Sequence, residues 1–122
     1  MELIVVVVIV GILATFAMPA FINSREKALD KEAAANLKLI QAAQKIYRME
    51  TRNYIDCPNA SDINTNLRLD IPTGSPKWNY LTRGPLTASP GCAQAARVGG
   101  NNRTWYLIMN DLDGEPNSGV CP

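Results

Sequence analysis

The sequence predicts an α+β fold in which one long N-terminal helix packs on a small antiparallel sheet of three or four strands. Three observations predict it. No charged residue occurs from Leu3 to Ile22, apolar residues then recur at helical spacing as far as Tyr47, and strand-like segments follow only after position 76. The 122 residues allow a single domain beyond the apolar segment. We divide the chain into an apolar half-helix 1–22, an amphipathic half-helix 23–51 and a head 52–122, which forms one domain with 23–51.

Residues 1–22 are apolar on every face of the predicted helix. The run from Leu3 to Val10 has no polar position, so this helix needs lipid or other apolar helices on all sides. A helix over residues 3–22 would be roughly 30 Å long, which matches the hydrocarbon thickness of a bilayer. We therefore predict a segment that spans a membrane or packs in the core of a polymer. An ordinary membrane anchor and a cleaved secretory signal are the alternatives, although no basic residue opens the chain as in a signal.

Three residues of this segment, Glu2, Gly11 and Pro19, are unusual for an ordinary anchor. A carboxylate at the edge of an apolar helix is costly unless a cation pairs with it. Glycine and proline both weaken a helix, so the stretch from Gly11 to Pro19 is where helix could loosen under strain. These three residues therefore argue against an ordinary membrane anchor.

The segment from Glu2 to Ala14, followed by Pro19, resembles the N-terminal segment of type IV pilins and type II secretion pseudopilins. In that family, Phe-Thr-Leu and a short basic leader precede the position that matches Met1. A dedicated peptidase removes the leader and methylates the new N-terminus. The resemblance implies that Glu2 neutralises the N-terminal amine of a neighbouring subunit. It also implies that the stretch from Gly11 to Pro19 loses helix during assembly.

The same resemblance implies a function. The chain would polymerise through its apolar helix into a type IV pilus for surface attachment, motility or DNA uptake. Before assembly it would be anchored in the lipid bilayer of the inner membrane and would meet the assembly machinery there. Afterwards it would form an extracellular filament (a fimbrium) of identical subunits. A pseudopilin of a type II secretion system, which acts in protein secretion, is the alternative. A monomeric membrane-anchored binding module is a more distant one.

Residues 23–51 predict the amphipathic half of the same helix. One apolar face repeats every three or four residues and consists of Leu29, Ala33, Leu37, Ile40, Ala43 and Tyr47. Charged residues lie between them on the solvent side. No helix breaker occurs between Ala20 and Thr51, so both halves predict one helix of about 50 residues, roughly 75 Å long if straight.

The composition changes after Thr51. Asn, Pro, Gly, Ser and Thr dominate from Cys57 to Ser75, which predicts an irregular connection with a single helical turn at Ser61–Asn64. Strands are predicted at Lys77–Thr82, Ala93–Val98 and Thr104–Met109, and a hairpin turn at Gly99–Asn102 joins the last two. Trp78 and Tyr80 alternate in the first of these strands and should share one face.

Cys57, Cys92 and Cys121 make an odd number, so one disulfide and one remaining thiol is the simplest account. Pilins often tie the C-terminal segment to the sheet by a disulfide. The resemblance therefore implies Cys92–Cys121 first and Cys57–Cys92 as the alternative. Zinc binding and a catalytic thiol are disfavoured because the chain has no C-x-x-C spacing and no histidine.

The acidic loop Asn110–Glu115 places Asp111, Asp113 and Glu115 beside a glycine. Such oxygen ligands suit calcium, and some pseudopilins bind calcium in a similar loop, but a solvated turn is the simpler interpretation. We therefore predict no cofactor, with calcium at these three residues as the alternative. The formal net charge of +1 and the lack of histidine indicate neither a nucleic-acid partner nor an enzyme.

Overall fold

A computed structural model describes residues 1–74, 77–84, 90–99, 102–111 and 114–122. Within these ranges the elements are helices α1 (Glu2–Thr51) and α2 (Ala60–Leu67) and strands β1 (Trp78–Arg83), β2 (Cys92–Arg97), β3 (Thr104–Ile108) and β4 (Asn117–Ser118). The predicted α+β arrangement of a long N-terminal helix on an antiparallel sheet is confirmed. The chain divides into two compact units, residues 1–31 and residues 32–122.

Helix α1 is continuous through both Gly11 and Pro19. Pro19 has no N–H to donate to the Thr15 carbonyl one turn earlier, so one hydrogen bond of the helix is missing there. The Thr15 hydroxyl donates to the Ile12 carbonyl at 2.6 Å. The helix ends at Thr51, where Arg52 adopts a left-handed φ of 67° and its N–H donates to the Arg48 carbonyl at 2.7 Å.

The sheet follows chain order, β1-β2-β3-β4, and every pairing is antiparallel. Each of the first three strands lies within one residue of its predicted limits. The fourth is a two-residue strand in which Asn117 pairs with Tyr106. The sheet therefore has four described strands, where three or four were predicted. Of the predicted hairpin turn, Gly100 and Asn101 lie outside the described residues.

The core of the second unit lies between α1 and the inner face of the sheet. Its buried apolar side chains include Ala33, Leu37 and Ile40 from α1, and Trp78, Tyr80, Ala93, Ala95, Leu107 and Met109 from the sheet and its edge. The predicted alternation of Trp78 and Tyr80 is confirmed. Ala43 and Tyr47 are half-buried at the margin of the helix face. The Asn36 amide also donates to the Tyr80 hydroxyl at 2.8 Å, which links helix to strand.

Residues 57–74, the described part of the connection predicted from Cys57 to Ser75, are less irregular than predicted. Instead of a single turn they contain α2, which has two turns and begins one residue earlier than the predicted Ser61. Asn59 caps this helix, since its side-chain oxygen accepts the Asp62 N–H at 2.9 Å. Ile63 and Leu67, four residues apart, are both buried. The Asn59 cap and this short apolar repeat explain the additional turn.

A buried glutamine joins α1 to the head. Gln44 is fully buried, and its amide donates to the Ile55 carbonyl at 2.7 Å and to the Thr82 hydroxyl at 3.2 Å. Its side-chain oxygen accepts the Ile55 N–H at 3.0 Å. Gln44 therefore replaces the hydrogen bonds to water that Ile55 loses on burial, and it fixes the chain after α1 against β1.

Candidate assembly segment

Residues 3–22 of α1, which we name the assembly segment, expose apolar surface on every side. The exposed fraction of their large apolar side chains runs from 51% at Ile9 to 76% at Leu3. An 18-residue window here has a mean hydropathy of 2.8, and none of it is buried. By length and composition this helix can cross a membrane. Within a single chain, this surface has no apolar partner among the described residues.

The predicted assembly residues all lie on this exposed helix. Glu2 is its first residue, where the positive end of the helix dipole favours a carboxylate. Among the described residues none pairs with Glu2. A side chain added at Gly11 would meet nothing within 4 Å, so close packing inside the chain does not account for this glycine. The roles of Glu2, Gly11 and Pro19 in a polymer stay predictions.

The cysteines lie in the head. Cys92 at the start of β2 is joined by a disulfide to Cys121, with Cα atoms 6.1 Å apart, which is the first pairing that the resemblance implied. Cys57 is a buried free thiol. Burial raises the pKa of Cys57, and the hydrogen bonds from Thr82 and Asn66 offset that rise only in part. The raised pKa favours the neutral thiol over the nucleophilic thiolate.

The described part of the acidic loop is held by side chains of α1. The Lys38 ammonium donates to the Glu115 carboxylate at 2.7 Å. Gln41 is buried, and its amide donates to the carbonyls of Ile108 at 2.7 Å and Asp111 at 3.2 Å. Gly114, at a φ of +51°, would bring a side chain to within 3.4 Å of the Gln41 oxygen, so both the backbone and the space favour glycine.

Further along α1, two cations reach the start of the same loop. The Lys45 ammonium lies 3.4 Å from the Asp111 carbonyl, and Arg48 donates to the Asn110 side chain at 3.3 Å. The Tyr54 hydroxyl donates to the same Asn110 oxygen at 2.8 Å, and the Arg48 guanidinium stacks 5.0 Å from the Tyr54 ring centroid. These contacts attach the loop to the helix without a ligand.

These donors bear on the predicted calcium ligands. An oxygen of Glu115 and the carbonyl of Asp111 already accept protein N–H groups, and positive side chains face the loop. Such surroundings do not favour a divalent cation. Asp113 lies outside the described residues, and within them no three acidic or cysteine side chains are grouped to hold a metal ion. Calcium at Asp111, Asp113 and Glu115 stays a prediction.

Two curated proteins are similar to part of the chain. The type IV major pilin protein PilA of Myxococcus xanthus is 43% identical over 58 residues, which are 48% of this chain and 26% of that protein. The type II secretion system core protein G of Vibrio cholerae is 29% identical over 90 residues, 74% of this chain and 59% of that protein. The resemblance to the pilin and pseudopilin family is confirmed.

The pilin and pseudopilin resemblance is partial in length. The chain spans about a quarter of the PilA protein and about three fifths of the secretion protein. No family model and no solved structure matches it. The similarity to pilins and pseudopilins therefore rests on these two relatives.

Sequence reasoning missed two sets of residues in this pilin-like helix. It did not identify Gln41 and Gln44 as buried, because glutamine is mostly exposed in proteins. It also missed the apolar side chains on the solvent side of α1 at Leu39, Ile46 and Met49. The spacing of these three residues along the helix was the signal in the sequence that could have identified them.

Proposed function

We propose that the chain is a structural subunit that polymerises through the assembly segment into a type IV pilus filament. The observation that carries this proposal is the segment itself, an apolar helical surface of which no part is buried within the chain. Each large apolar side chain of this segment gains about 1.5–3 kcal/mol when lipid or a neighbouring helix replaces the water around it. The function is therefore mechanical, and no catalytic step is proposed.

Glu2 favours other copies of the chain over lipid as the final surroundings of this segment. A carboxylate at the edge of an apolar helix is costly without a cation. In a filament, the N-terminal amine of a neighbouring subunit would supply that cation, as the family resemblance implies. Losing one partner of such a buried pair costs about 3–5 kcal/mol, so Glu2 would also select the register between subunits.

Before assembly, the same helix would anchor the subunit in the inner membrane, where the assembly machinery would collect it. The filament would then extend outside the cell, with the assembly segments in its core and the heads on its surface. Surface attachment, motility and DNA uptake are the roles that such a filament would serve. The name of the PilA relative, a major pilin, supports this proposal.

Replacement of Glu2 tests the proposal. In cells that assemble the wild-type chain, Glu2→Ala should lower filament abundance at least tenfold, because about 1.4 kcal/mol already corresponds to tenfold and the pair is worth more. Glu50→Ala, which removes a carboxylate from the exposed end of the same helix, is the matched control and should leave filaments unchanged. Electron microscopy of cell surfaces gives the count. Unchanged filaments in Glu2→Ala would contradict the proposal.

A pseudopilin of a type II secretion system is the second candidate. It is favoured by the larger share of this chain, 74%, that aligns with the secretion protein. Deleting the gene separates the two: loss of surface filaments with normal protein export supports the pilin, and loss of export supports the pseudopilin. A monomeric membrane-anchored binding module, the most distant alternative, would give neither result and would remain unpolymerised when purified.

A further inference from the structure

An open cavity lies between the last two turns of α1 and the loop that follows β3. Its volume is about 560 Å³, which is within the range of small-molecule binding sites. The residues that line it are Lys45, Arg48, Met49, Tyr54, Met109 and Asn110. None of them belongs to the assembly segment, so polymerisation through that segment does not account for this cavity.

Two cations reach the cavity from one face of α1. Lys45 and Arg48 are three residues apart, a spacing that places both side chains on the same side of a helix. The Lys45 ammonium donates to the Asp111 carbonyl at 3.4 Å. Arg48 donates to the side-chain oxygen of the preceding residue, Asn110, at 3.3 Å. Within the described ranges neither cation forms an ion pair, and Glu50, the nearest carboxylate along the helix, lines a different cavity. The cavity is therefore positively charged.

The polar groups of the cavity that still lack a partner are hydrogen-bond donors. The Asn110 side-chain oxygen already accepts from Arg48 and from the Tyr54 hydroxyl, the latter at 2.8 Å. The same guanidinium nitrogen, Nη1, donates to the Tyr54 oxygen at 3.1 Å. In the described part of the chain, no group accepts from the Asn110 amide nitrogen or from Nε and Nη2 of Arg48. With the Lys45 ammonium, these groups suit a ligand that carries negative charge and only accepts.

Two methionines give the cavity an apolar side. Met49 lies one turn after Lys45 on the same helix face, and Met109 follows the end of β3. Thioethers pack well against aromatic and other apolar surfaces. Met49 is 80% exposed, so an apolar ligand would remove much of its surface from water. A sugar fits poorly, because its hydroxyl donors need acceptors and the Asn110 oxygen already has two donors.

We propose that this cavity binds a small organic anion, a carboxylate attached to an apolar or aromatic body. The carboxylate accepts from Lys45, Arg48 and the Asn110 amide, and the body covers Met49 and Met109. The anion replaces the water on the donors of the cavity and balances its positive charge. The site belongs to the head and does not depend on the proposed polymerisation.

Methionine NMR of the full chain in detergent micelles tests the proposal. The chain has four methionines, of which Met49 and Met109 line the cavity and Met1 and Met18 lie outside it. With carbon-13 in the methionine methyl groups, benzoate should shift the signals of Met49 and Met109 along one saturable curve. The signals of Met1 and Met18 should show no saturable shift, which separates binding in the cavity from uptake by the micelle.

Two further ligands separate the parts of the recognition. Benzamide has the same ring without the charge, and acetate has the charge without the ring. Each should bind about tenfold more weakly than benzoate, because each loses one of the two kinds of contact. Benzamide that binds as well as benzoate would contradict a role for the cations. Acetate that binds as well would contradict a role for the methionines.

Variants of the two cations assign the binding to this cavity. Lys45→Gln and Arg48→Gln should each raise the Kd of benzoate about fivefold. Lys31→Gln, which removes an exposed cation elsewhere on the same helix, is the matched control and should leave the Kd unchanged. Lys45→Gln should also melt at the wild-type temperature, since Lys45 makes a single long contact. Shifts at Met49 and Met109 that are absent or do not saturate would overturn the proposal, as would an unchanged Kd in both cavity variants. Filament counts are unaffected by these outcomes, so the proposed polymerisation is tested separately.

Discussion

Leu13 and Leu37 belong to the same uninterrupted helix, yet Leu13 is 63% exposed and Leu37 is fully buried. Around Leu37, apolar positions repeat on one face and polar positions fill the other, so one sheet suffices to cover the apolar face. Around Leu13 every face is apolar. Where apolar residues repeat at the helical period, the chain's own sheet covers them. Where they occupy every face of the helix, their surface remains available to another molecule.

The largest expected difference between the two regions comes from one substitution made in both. Leu37→Ala should lower the free energy of unfolding of the head by about 2–5 kcal/mol, because it leaves a cavity in a packed core. Leu13→Ala should leave that free energy unchanged, because no packed neighbour is lost. Chemical denaturation of the full chain in mild detergent, followed by the fluorescence of Trp78 and Trp105, measures both. Equal losses of unfolding free energy at the two positions would contradict the distinction between a covered and an uncovered half of the helix.

A smaller loss of stability is expected at Gln44, the buried glutamine of the amphipathic half-helix. The apolar half-helix has no such residue. Gln44→Leu should cost about 1–3 kcal/mol, because the Ile55 N–H and carbonyl lose their buried partner. Thr82→Val should also destabilise the head, since the Thr82 hydroxyl donates to the same carbonyl at 3.0 Å. The double variant should lose less than the two single losses added together. Full additivity in denaturation experiments would show that the two side chains act independently.

The smallest effect is expected for metal removal from the head. Chelation of calcium should leave the melting temperature unchanged, because Lys38, Gln41 and Lys45 already hold the described part of the loop. Lys38→Ala should cost at most about 1 kcal/mol, since its pair with Glu115 is largely exposed. Differential scanning fluorimetry with and without chelator makes the measurement. A drop of several degrees on chelation would instead support calcium binding and the secretion-system alternative.

Much of the architecture could be predicted because its signals are local. The apolar run, the period of the helix face and the alternation of Trp78 and Tyr80 each report directly on one element. The two-turn helix α2 was underestimated because its apolar repeat has only Ile63 and Leu67. Strand β4 was not located, since two residues leave no period to detect.

The candidate site divides in the same way. The sequence pointed to Glu2, Gly11 and Pro19 because their residue types are unusual in an apolar helix. It could not reveal that Gln41 and Gln44 are buried, since their burial depends on carbonyl groups distant in the chain that happen to face them. The exposed apolar residues Leu39, Ile46 and Met49 were overlooked although their spacing was visible, because only the small residues Ala35 and Ala42 continue the repeat.

Strand order equal to chain order has a kinetic consequence for the folding of the head. Each strand after β1 pairs with the strand that precedes it in the chain. Each pairing therefore closes a short loop at a small entropic cost. Each described strand pair can therefore form without a partner that is distant in the sequence. The Cys92–Cys121 disulfide ties the C-terminal segment to β2, the strand that lies between β1 and β3.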